Sequence, residues 1–129
     1  MASDNSICID ANILLDIVIK RDRYSKVIVK LQDKDIYVSS SSIGIAYYYS
    51  RKAGLSNAEF REITKKINII AVDFGVIDEA HKLVGENDLE DAIQIQACLR
   101  EGVTIFMTAD KQLVKQYSFI HALTVELVE

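Results

Sequence analysis

Acidic residues follow apolar, strand-like segments at several points of this 129-residue chain. Asp10 comes directly after the apolar segment at 6–9, and Asp110 lies shortly after a second one at 103–107. Asp91 lies in the first turn of a helix-like segment. Because ligands of parallel α/β sheets bind outside the carboxyl ends of the strands, we expect these three carboxylates to lie at one end of a sheet.

A cluster of carboxylates favours a divalent cation, because like charges raise one another's pKa and a cation removes the repulsion. Hard oxygen ligands suit Mg²⁺ or Mn²⁺, and a substrate phosphate can complete the coordination shell. The chemistry that follows is phosphodiester hydrolysis, in which the ion lowers the pKa of a bound water and stabilises charge on the phosphate. The spacing of Asp91, Ile95 and Leu99 supports this interpretation, since it places Asp91 at the rim of a buried helix face.

Each of these acidic residues also has a structural interpretation, which the residue types alone leave open. Asp10 is suited to a turn that follows a strand. Asp110 is suited to the N-cap of a following helix. Asp88, Glu90 and Asp91 would lie at the start of a helix, where the helix dipole favours negative charge.

The elements that would position these residues are predicted from the hydrophobic pattern. Short apolar segments typical of strands alternate with longer ones of helical periodicity, which indicates an α/β fold with a mostly parallel sheet. Ser56 and Glu59 predict a capping box, and Gly54 predicts a helix end. We expect strands at 6–9, 36–39, 69–72, 103–107 and 123–127, and helices at 12–20, 24–32, 41–52, 56–67, 76–84 (ending near Gly85), 89–100 (with Asn87 as one candidate cap) and 111–116.

Length and composition are typical of a single domain over residues 1–129, with 50% hydrophobic and 26% charged residues. The net charge of −4 means that contact with RNA would need a local basic patch or a bound cation. The polar N-terminus and the absence of an apolar run near the ~20 residues of a membrane span predict a cytoplasmic protein without membrane contact. Cys8 and Cys98 are expected to be buried, reduced thiols.

Three motifs in this order resemble those of the PIN domain family. The run IDANILLD at 9–16 is similar to the family's opening signature, a strand followed by Asp-x-Asn and an apolar helix with a second Asp. The run LEDAI at 89–93 resembles its later acidic motif, and IFMTAD at 105–110 resembles its closing strand with Thr-x-Asp. The resemblance extends from residue 6 to residue 125. It implies a three-layer α/β/α sandwich with a mostly parallel central sheet and an Mg²⁺- or Mn²⁺-dependent ribonuclease activity.

The resemblance also implies partners and residue roles. Many short members are VapC-type toxins that cleave RNA, are neutralised by a small antitoxin protein and are often homodimers, so we expect these partners. By match, the catalytic and metal-binding positions are Asp10, Asp91 and Asp110. The supporting positions are Asn12 and Thr108, which would orient the carboxylates by hydrogen bonds, Asp16 with a structural role, and Asp88 and Glu90.

One position departs from the family pattern. The family usually has Glu, sometimes Asn, in the helix that here covers 41–52, and the alignment places Ile45 there, with Ala46 as the alternative. No acidic residue occurs between Asp35 and Glu59. The loss of one carboxylate of four leaves two functions open: a weakened ribonuclease, or a catalytically inactive PIN-like domain that binds RNA or protein.

A phospho-receiver domain has similar length and layering and is a third hypothesis. Such domains need an acidic pair after the first strand, whereas Asp10 stands alone before Ala11 and Asn12. Asp73 is the only candidate phosphate acceptor, and no Lys of the expected kind follows the last strand. The sequence therefore disfavours this function.

Two further features have both a structural and a functional interpretation. Adjacent helical residues point in different directions, so at least one of the tyrosines at 47–49 should be exposed. They could pack in the core, form a dimer contact or stack on bases. The basic stretch at 20–23, with Lys26 and Lys30, is either a solvated surface or a contact for a phosphate backbone.

Overall fold

The strands and helices follow the alternating order that the hydrophobic pattern predicts. The computed structural model describes residues 3–84 and 88–129, and within these ranges it contains five strands and seven helices. In chain order they are β1 (Ser6–Ile9), α1 (Ala11–Val18), α2 (Tyr24–Leu31), β2 (Asp35–Ser39), α3 (Ser40–Lys52), α4 (Asn57–Thr64), β3 (Asn68–Ile70), α5 (Phe74–Val84), α6 (Leu89–Glu101), β4 (Ile105–Thr108), α7 (Lys111–Tyr117) and β5 (Thr124–Leu127).

The five strands form one parallel sheet in the order β3-β2-β1-β4-β5. The chain first builds the sheet outward from β1 through β2 to β3, and then returns to the other side of β1 for β4 and β5. The order therefore reverses between β1 and β4, where Ile9 pairs with Met107. A crevice suited to a ligand forms at such a switch point, outside the carboxyl ends of the strands.

Helices cover both faces of the sheet, which gives the predicted three layers. All four residues of β1 are buried, as expected for a central strand that is covered on both faces. Successive side chains alternate between the faces, so Ile7 and Ile9 belong to one core cluster and Cys8 to the other. The first cluster includes residues of α1 to α4, and the second includes residues of α5 to α7. Cys8 and Cys98 are buried, free thiols, as predicted.

The ends of several helices have local causes. The capping box of Ser56 and Glu59 is present, with both reciprocal hydrogen bonds at 3.1 Å. Gly102 ends α6 with a φ of 82°, and Gly54 follows α3 with a φ of 95°. Both angles lie in the left-handed region that favours glycine.

Several predicted boundaries differ from the observed ones by a few residues. α1 ends at Val18 rather than at residue 20, and Lys20 has a φ of 51°. Val103 is buried in the second core cluster but precedes β4, which begins at Ile105. The predicted helix end near Gly85 and the candidate cap Asn87 lie outside the described residues. Within 3–84 and 88–129, no helix combines the length and apolar character needed to cross a membrane.

Candidate functional site

Asp10 lies at the end of β1, on one side of the switch point, and only 5% of it is exposed. One carboxylate oxygen accepts the Ile13 N–H at 2.8 Å, so Asp10 is the N-cap of α1. The other accepts the Thr108 hydroxyl at 2.6 Å, and the Thr108 oxygen in turn accepts the Asp110 N–H at 3.1 Å. This chain of hydrogen bonds joins the ends of β1 and β4 and fixes the Asp10 carboxylate in one orientation.

The pKa of Asp10 is raised above its ordinary value, chiefly by burial. The hydrogen bonds from Thr108 and Ile13 act in the opposite direction, because they stabilise the charged form. The nearby carboxylates of Asp16 and Asp110 raise the pKa further. Asp10 is therefore a carboxylate whose negative charge is only partly compensated.

Asp91 lies in the first turn of α6 and is partly buried. Burial raises its pKa to about 6, and the carboxylates of Asp88, Asp110, Glu90 and Asp10 contribute to the increase in that order. None of the ion pairs and hydrogen bonds found among the described side chains satisfies the Asp91 carboxylate. It is thus a desolvated acid surrounded by like charges.

The three predicted metal-binding carboxylates lie in one electrostatic neighbourhood. Asp110, exposed at the start of α7, raises the pKa of both Asp10 and Asp91. Across residues 3–84 and 88–129, however, no three Asp, Glu, His or Cys side chains are already arranged as ligands of one ion. The structure brings these acids to the same edge of the sheet, and their convergence on one cation stays a prediction.

Three acids at this edge are also helix caps, whereas the structural interpretation proposed a cap only for Asp110 and placed Asp10 in a turn and Asp88 in a first helical turn. Asp10 caps α1, Asp88 caps α6 by accepting the Glu90 N–H at 2.8 Å, and Asp110 caps α7 by accepting the Gln112 N–H at 2.9 Å. Capping does not account for Asp91, which lies beyond the cap position. Each cap bond also leaves carboxylate lone pairs that remain available for another ligand.

Gln94 is a site residue that the sequence analysis did not identify. It is 4% exposed and lies one turn after Asp91 on α6. Its side-chain carbonyl accepts the Ala11 N–H at 3.1 Å and the Ser42 hydroxyl at 2.9 Å. Ser42 is in turn 3.0 Å from the Ser39 hydroxyl. Gln94 thereby holds α6, and with it Asp91, against the start of α1 and of α3. Because Gln96 on the same helix is of the same type and also lies among apolar residues, no sequence pattern distinguishes Gln94.

Two of the predicted supporting residues have clear surroundings. Asp16 is 1% exposed and forms ion pairs with Arg21 at 2.8 Å and Arg23 at 2.9 Å, so its carboxylate organises the basic turn after α1. Asn12 is exposed, and its backbone carbonyl accepts a hydrogen bond from Arg21 at 2.8 Å. Among the described residues, the Asn12 side chain donates no hydrogen bond to Asp10, whereas Thr108 does.

We call the end of the sheet that carries Asp10, Asp91 and Asp110 the acidic edge. A cleft of about 570 Å³ borders this acidic edge. Ile45 is partly exposed and lines this cleft, whereas Ala46 on the next position of α3 is fully buried. An acidic side chain would therefore reach the cleft from position 45 and not from 46. The other residues that line the cleft are Ala11, Asn12, Leu15, Gly44, Tyr48, Tyr49 and Glu90.

The chemistry of the donor set fits a hard divalent cation. The candidate ligands at this edge are carboxylate oxygens, which Mg²⁺ and Mn²⁺ prefer. The ion pairs formed within the described part of the chain involve other acids, so no Lys or Arg neutralises Asp10, Asp91 or Asp110 there. A cation would remove the repulsion that raises the pKa of Asp91.

The fold and the site together define the class of protein: an α/β/α sandwich with acidic residues at the switch point of a parallel sheet. Comparison with protein families identifies the family within this class. The PIN domain family model matches residues 7–119, and the chain belongs to this family. The family assignment made from the three sequence motifs is therefore confirmed.

Solved structures with the same fold come from several organisms. A toxin-antitoxin complex from Klebsiella pneumoniae has a TM-score of 0.73 and 18% identity, with 92% of this chain and 95% of that chain covered. VapBC2 from Rickettsia felis, bound to a DNA fragment from its promoter, has a TM-score of 0.68 and 16% identity, with 96% and 99% covered. At such identities the likeness concerns the fold. The comparison with curated proteins found no match.

Proposed function

We propose that this PIN domain is a metal-dependent endoribonuclease of the VapC toxin type, and that its acidic edge is the active site. The single observation on which this proposal rests is the partly buried Asp91 carboxylate, whose pKa is raised to about 6 by burial and by four neighbouring carboxylates. At neutral pH such an arrangement costs stability, because a partly buried charge lies among like charges. Functional sites commonly retain unfavourable arrangements of this kind.

Asp10, Asp91 and Asp110 are the residues that would hold Mg²⁺ or Mn²⁺. PIN domains generally depend on divalent metal ions. When bound, such an ion supplies an activated water and stabilises negative charge on the phosphate. The protein's contribution is to orient its ligands, since Thr108 fixes the Asp10 carboxylate and Gln94 fixes the helix of Asp91.

The partners follow from the same proposal. The substrate is RNA, and the net charge of −4 makes a bound cation important for contact with a phosphate backbone. The solved relatives include a toxin-antitoxin complex and VapBC2. We therefore include a small antitoxin that binds and inhibits this chain. From the resemblance to short VapC-type members of the family, we also propose a homodimer as the assembled form of the toxin.

The test is metal-dependent cleavage of a mixed RNA pool. We expect cleavage with Mn²⁺, no cleavage with EDTA, and a loss of about 100-fold or more in Asp10→Ala, because changes to groups that only orient a metal ligand already cost about 10–100-fold. Asp78→Asn is the matched control, since Asp78 is an exposed acid on α5. Equal cleavage by the unmodified protein and Asp10→Ala would contradict the proposal and would identify a contaminating nuclease.

The second candidate function is an inactive PIN domain that binds RNA or protein. The observation that favours it is Ile45, which lines the cleft where the family usually has an acid. One oxygen ligand fewer would weaken the binding of the cation. A folded protein that binds RNA, but cleaves none with Mn²⁺ even as Ile45→Glu, would favour this second function.

A further inference from the structure

The three consecutive tyrosines of α3 have different environments, because neighbouring helical residues are rotated by about 100°. Tyr47 packs edge-on against Phe60, with the ring centroids 5.3 Å apart. Tyr48 and Tyr49 are 54% and 49% exposed and contact each other edge-on at 5.2 Å. Packing against Phe60 therefore accounts for Tyr47, which is 37% exposed, and leaves the more exposed rings of Tyr48 and Tyr49 available.

Tyr48 and Tyr49 both line the cleft that borders the acidic edge. The same cleft is lined by Ala11, directly after Asp10, and by Glu90, directly before Asp91. One end of the cleft is therefore adjacent to the proposed metal site, and the two exposed rings lie within the same cleft.

A second cleft of about 340 Å³ adjoins the first and extends it away from the acids. The two clefts share Asn12, Leu15 and Tyr49. The second one adds the cationic side chains of Arg21 and Lys52. Together they form a groove that begins at the acidic edge, passes the tyrosines and ends at positive charge.

The positive end of the groove is held in place by the fold. The Arg21 guanidinium donates to Asp16 and to the Asn12 carbonyl, both at 2.8 Å. Asp16 also pairs with Arg23, and Asp22 lies in the same turn, so the cationic groups that line the groove are Arg21 and Lys52. The Lys52 ammonium lies 4.9 Å from the centroid of the Tyr48 ring.

We propose that Tyr48 and Tyr49 are substrate-positioning residues on which bases of single-stranded RNA stack, with Lys52 and Arg21 contacting the backbone. This inference rests on the proposed ribonuclease function, because the groove would lead an RNA strand to the proposed metal site. Half-exposed aromatic rings beside cationic side chains form the usual platform for unpaired bases. In an acidic chain, such a local arrangement also supplies the attraction for a polyanion that the net charge does not.

The test is the binding of a fluorescein-labelled, mixed-sequence single-stranded RNA of about 12 nucleotides, measured by anisotropy with Ca²⁺ present. Base stacking on one aromatic residue contributes enough that Tyr48→Ala and Tyr49→Ala should each weaken binding about fivefold or more. Tyr48→Phe keeps the ring and should bind within about twofold of the unmodified protein. Phe74→Ala is the matched control, because Phe74 is an aromatic residue on α5 that is 80% exposed, and it should change nothing.

Two further measurements test whether Lys52 contacts the RNA backbone and whether the groove prefers single-stranded RNA. Lys52→Ala should reduce the slope of log affinity against log salt by about 0.7, the value for one phosphate contact on a single strand. The same RNA in a duplex should bind more weakly, because its bases cannot stack on the tyrosines. Equal affinity for single strand and duplex would overturn the proposal.

The remaining outcomes separate this proposal from its rivals. It is overturned if both tyrosine variants bind RNA like the unmodified protein, or if no binding is measurable. It is also overturned if Tyr48→Ala changes only the oligomeric state in light scattering, which would make these tyrosines a dimer contact. Tyrosine-dependent binding without any metal-dependent cleavage would support the stacking platform and contradict the ribonuclease function.

Discussion

Asp10 and Thr108 form the most constrained part of the site at the scale of single residues. Both are buried, and their 2.6 Å hydrogen bond joins the two strands that flank the switch point. The Thr108 oxygen also accepts the Asp110 N–H, so one hydroxyl donates to the Asp10 carboxylate and accepts from the Asp110 backbone. A hydrogen bond to a charged group contributes about 1.5–3 kcal/mol to stability.

Thr108→Val should therefore lower the free energy of unfolding by about 1–3 kcal/mol, since valine has the same shape and leaves a buried carboxylate oxygen without a donor. Thr108→Ser is the control, because it keeps the hydroxyl. Urea unfolding of the three proteins measures the effect. If valine is tolerated as well as serine, Thr108 does not hold the Asp10 carboxylate.

Asp91 gives the protein a pH dependence whose sign follows from its raised pKa. Burial and like charges raise the pKa of Asp91 from 3.8 to about 6, so the folded state binds a proton more tightly than the unfolded chain. The contribution of this group to stability is complete below about pH 4 and is lost as the pH rises through 6. Because asparagine cannot ionise, the Asp91→Asn protein should not lose this stability as the pH rises.

In metal-free buffer, Asp91→Asn should be more stable than the unmodified protein by about 1 kcal/mol at pH 7, after allowance for solvent screening of a half-exposed carboxylate. The two proteins should be equally stable below pH 4. Urea unfolding between pH 3.5 and 7.5 measures the difference, with Asp78→Asn as the exposed-acid control. A marked destabilisation by Asp91→Asn at pH 7 would mean that Asp91 is a structural partner.

At the scale of elements, the site depends on how α6 and α3 meet the central strand. Gln94 connects α6 to the start of α1 and to Ser42 of α3. Ile45 presents an aliphatic side chain from α3 to the same cleft. The first contact holds the helix that carries Asp91, and the second places an aliphatic side chain where the sequence alignment predicts the family's acid.

Gln94→Leu should lower the free energy of unfolding by about 1–3 kcal/mol, because the buried Ala11 N–H and Ser42 hydroxyl lose their acceptor. It should also weaken Mn²⁺ binding, since α6 is no longer held at the switch point. Gln96→Leu on the same helix is the matched control, as Gln96 is partly exposed. Equal stability and equal Mn²⁺ affinity of the two variants would remove the role assigned to Gln94.

Ile45→Glu should strengthen Mn²⁺ binding and increase RNA cleavage, because the new carboxylate reaches the cleft beside Asn12 and Glu90. Ala46→Glu is the comparison and should destabilise the protein, because it places a charge at a fully buried position. Calorimetric Mn²⁺ titration and cleavage of the RNA pool measure the effects. If Ile45→Glu is folded and gains neither metal affinity nor activity, position 45 is not that of the missing acid.

The elements themselves were largely predictable because their causes are local. The capping box at Ser56 and the strand at 6–9 occur where the pattern placed them. The positions of Asp10 and Asp110 at the carboxyl end of the sheet were predictable, because both follow strand ends. Gln94 was not, because its importance comes from an N–H 83 residues away in sequence, which no local pattern encodes. The ion pairs of Asp16 with two arginines are local in sequence, yet they depend on the turn after α1.

At the scale of the whole molecule, the strand order determines where the chemistry can occur. A net charge of −4 is distributed so that uncompensated acids lie at the switch point and cationic residues lie at the far end of the adjoining groove. A divalent cation would neutralise the first region, and an RNA backbone would extend toward the second. The acidic edge and the groove therefore lie next to each other on one surface of the molecule.

The most direct test of the central claim is a Mn²⁺ titration that records metal binding by electron paramagnetic resonance and RNA cleavage in the same samples. We predict that binding and cleavage increase with the same midpoint, and that Asp91→Asn shifts both to higher Mn²⁺ while Asp78→Asn shifts neither. Cleavage that is independent of Mn²⁺, or an Asp91→Asn protein that binds Mn²⁺ and cleaves RNA like the unmodified one, would contradict the claim that the acidic edge of this PIN domain is a metal-dependent ribonuclease site.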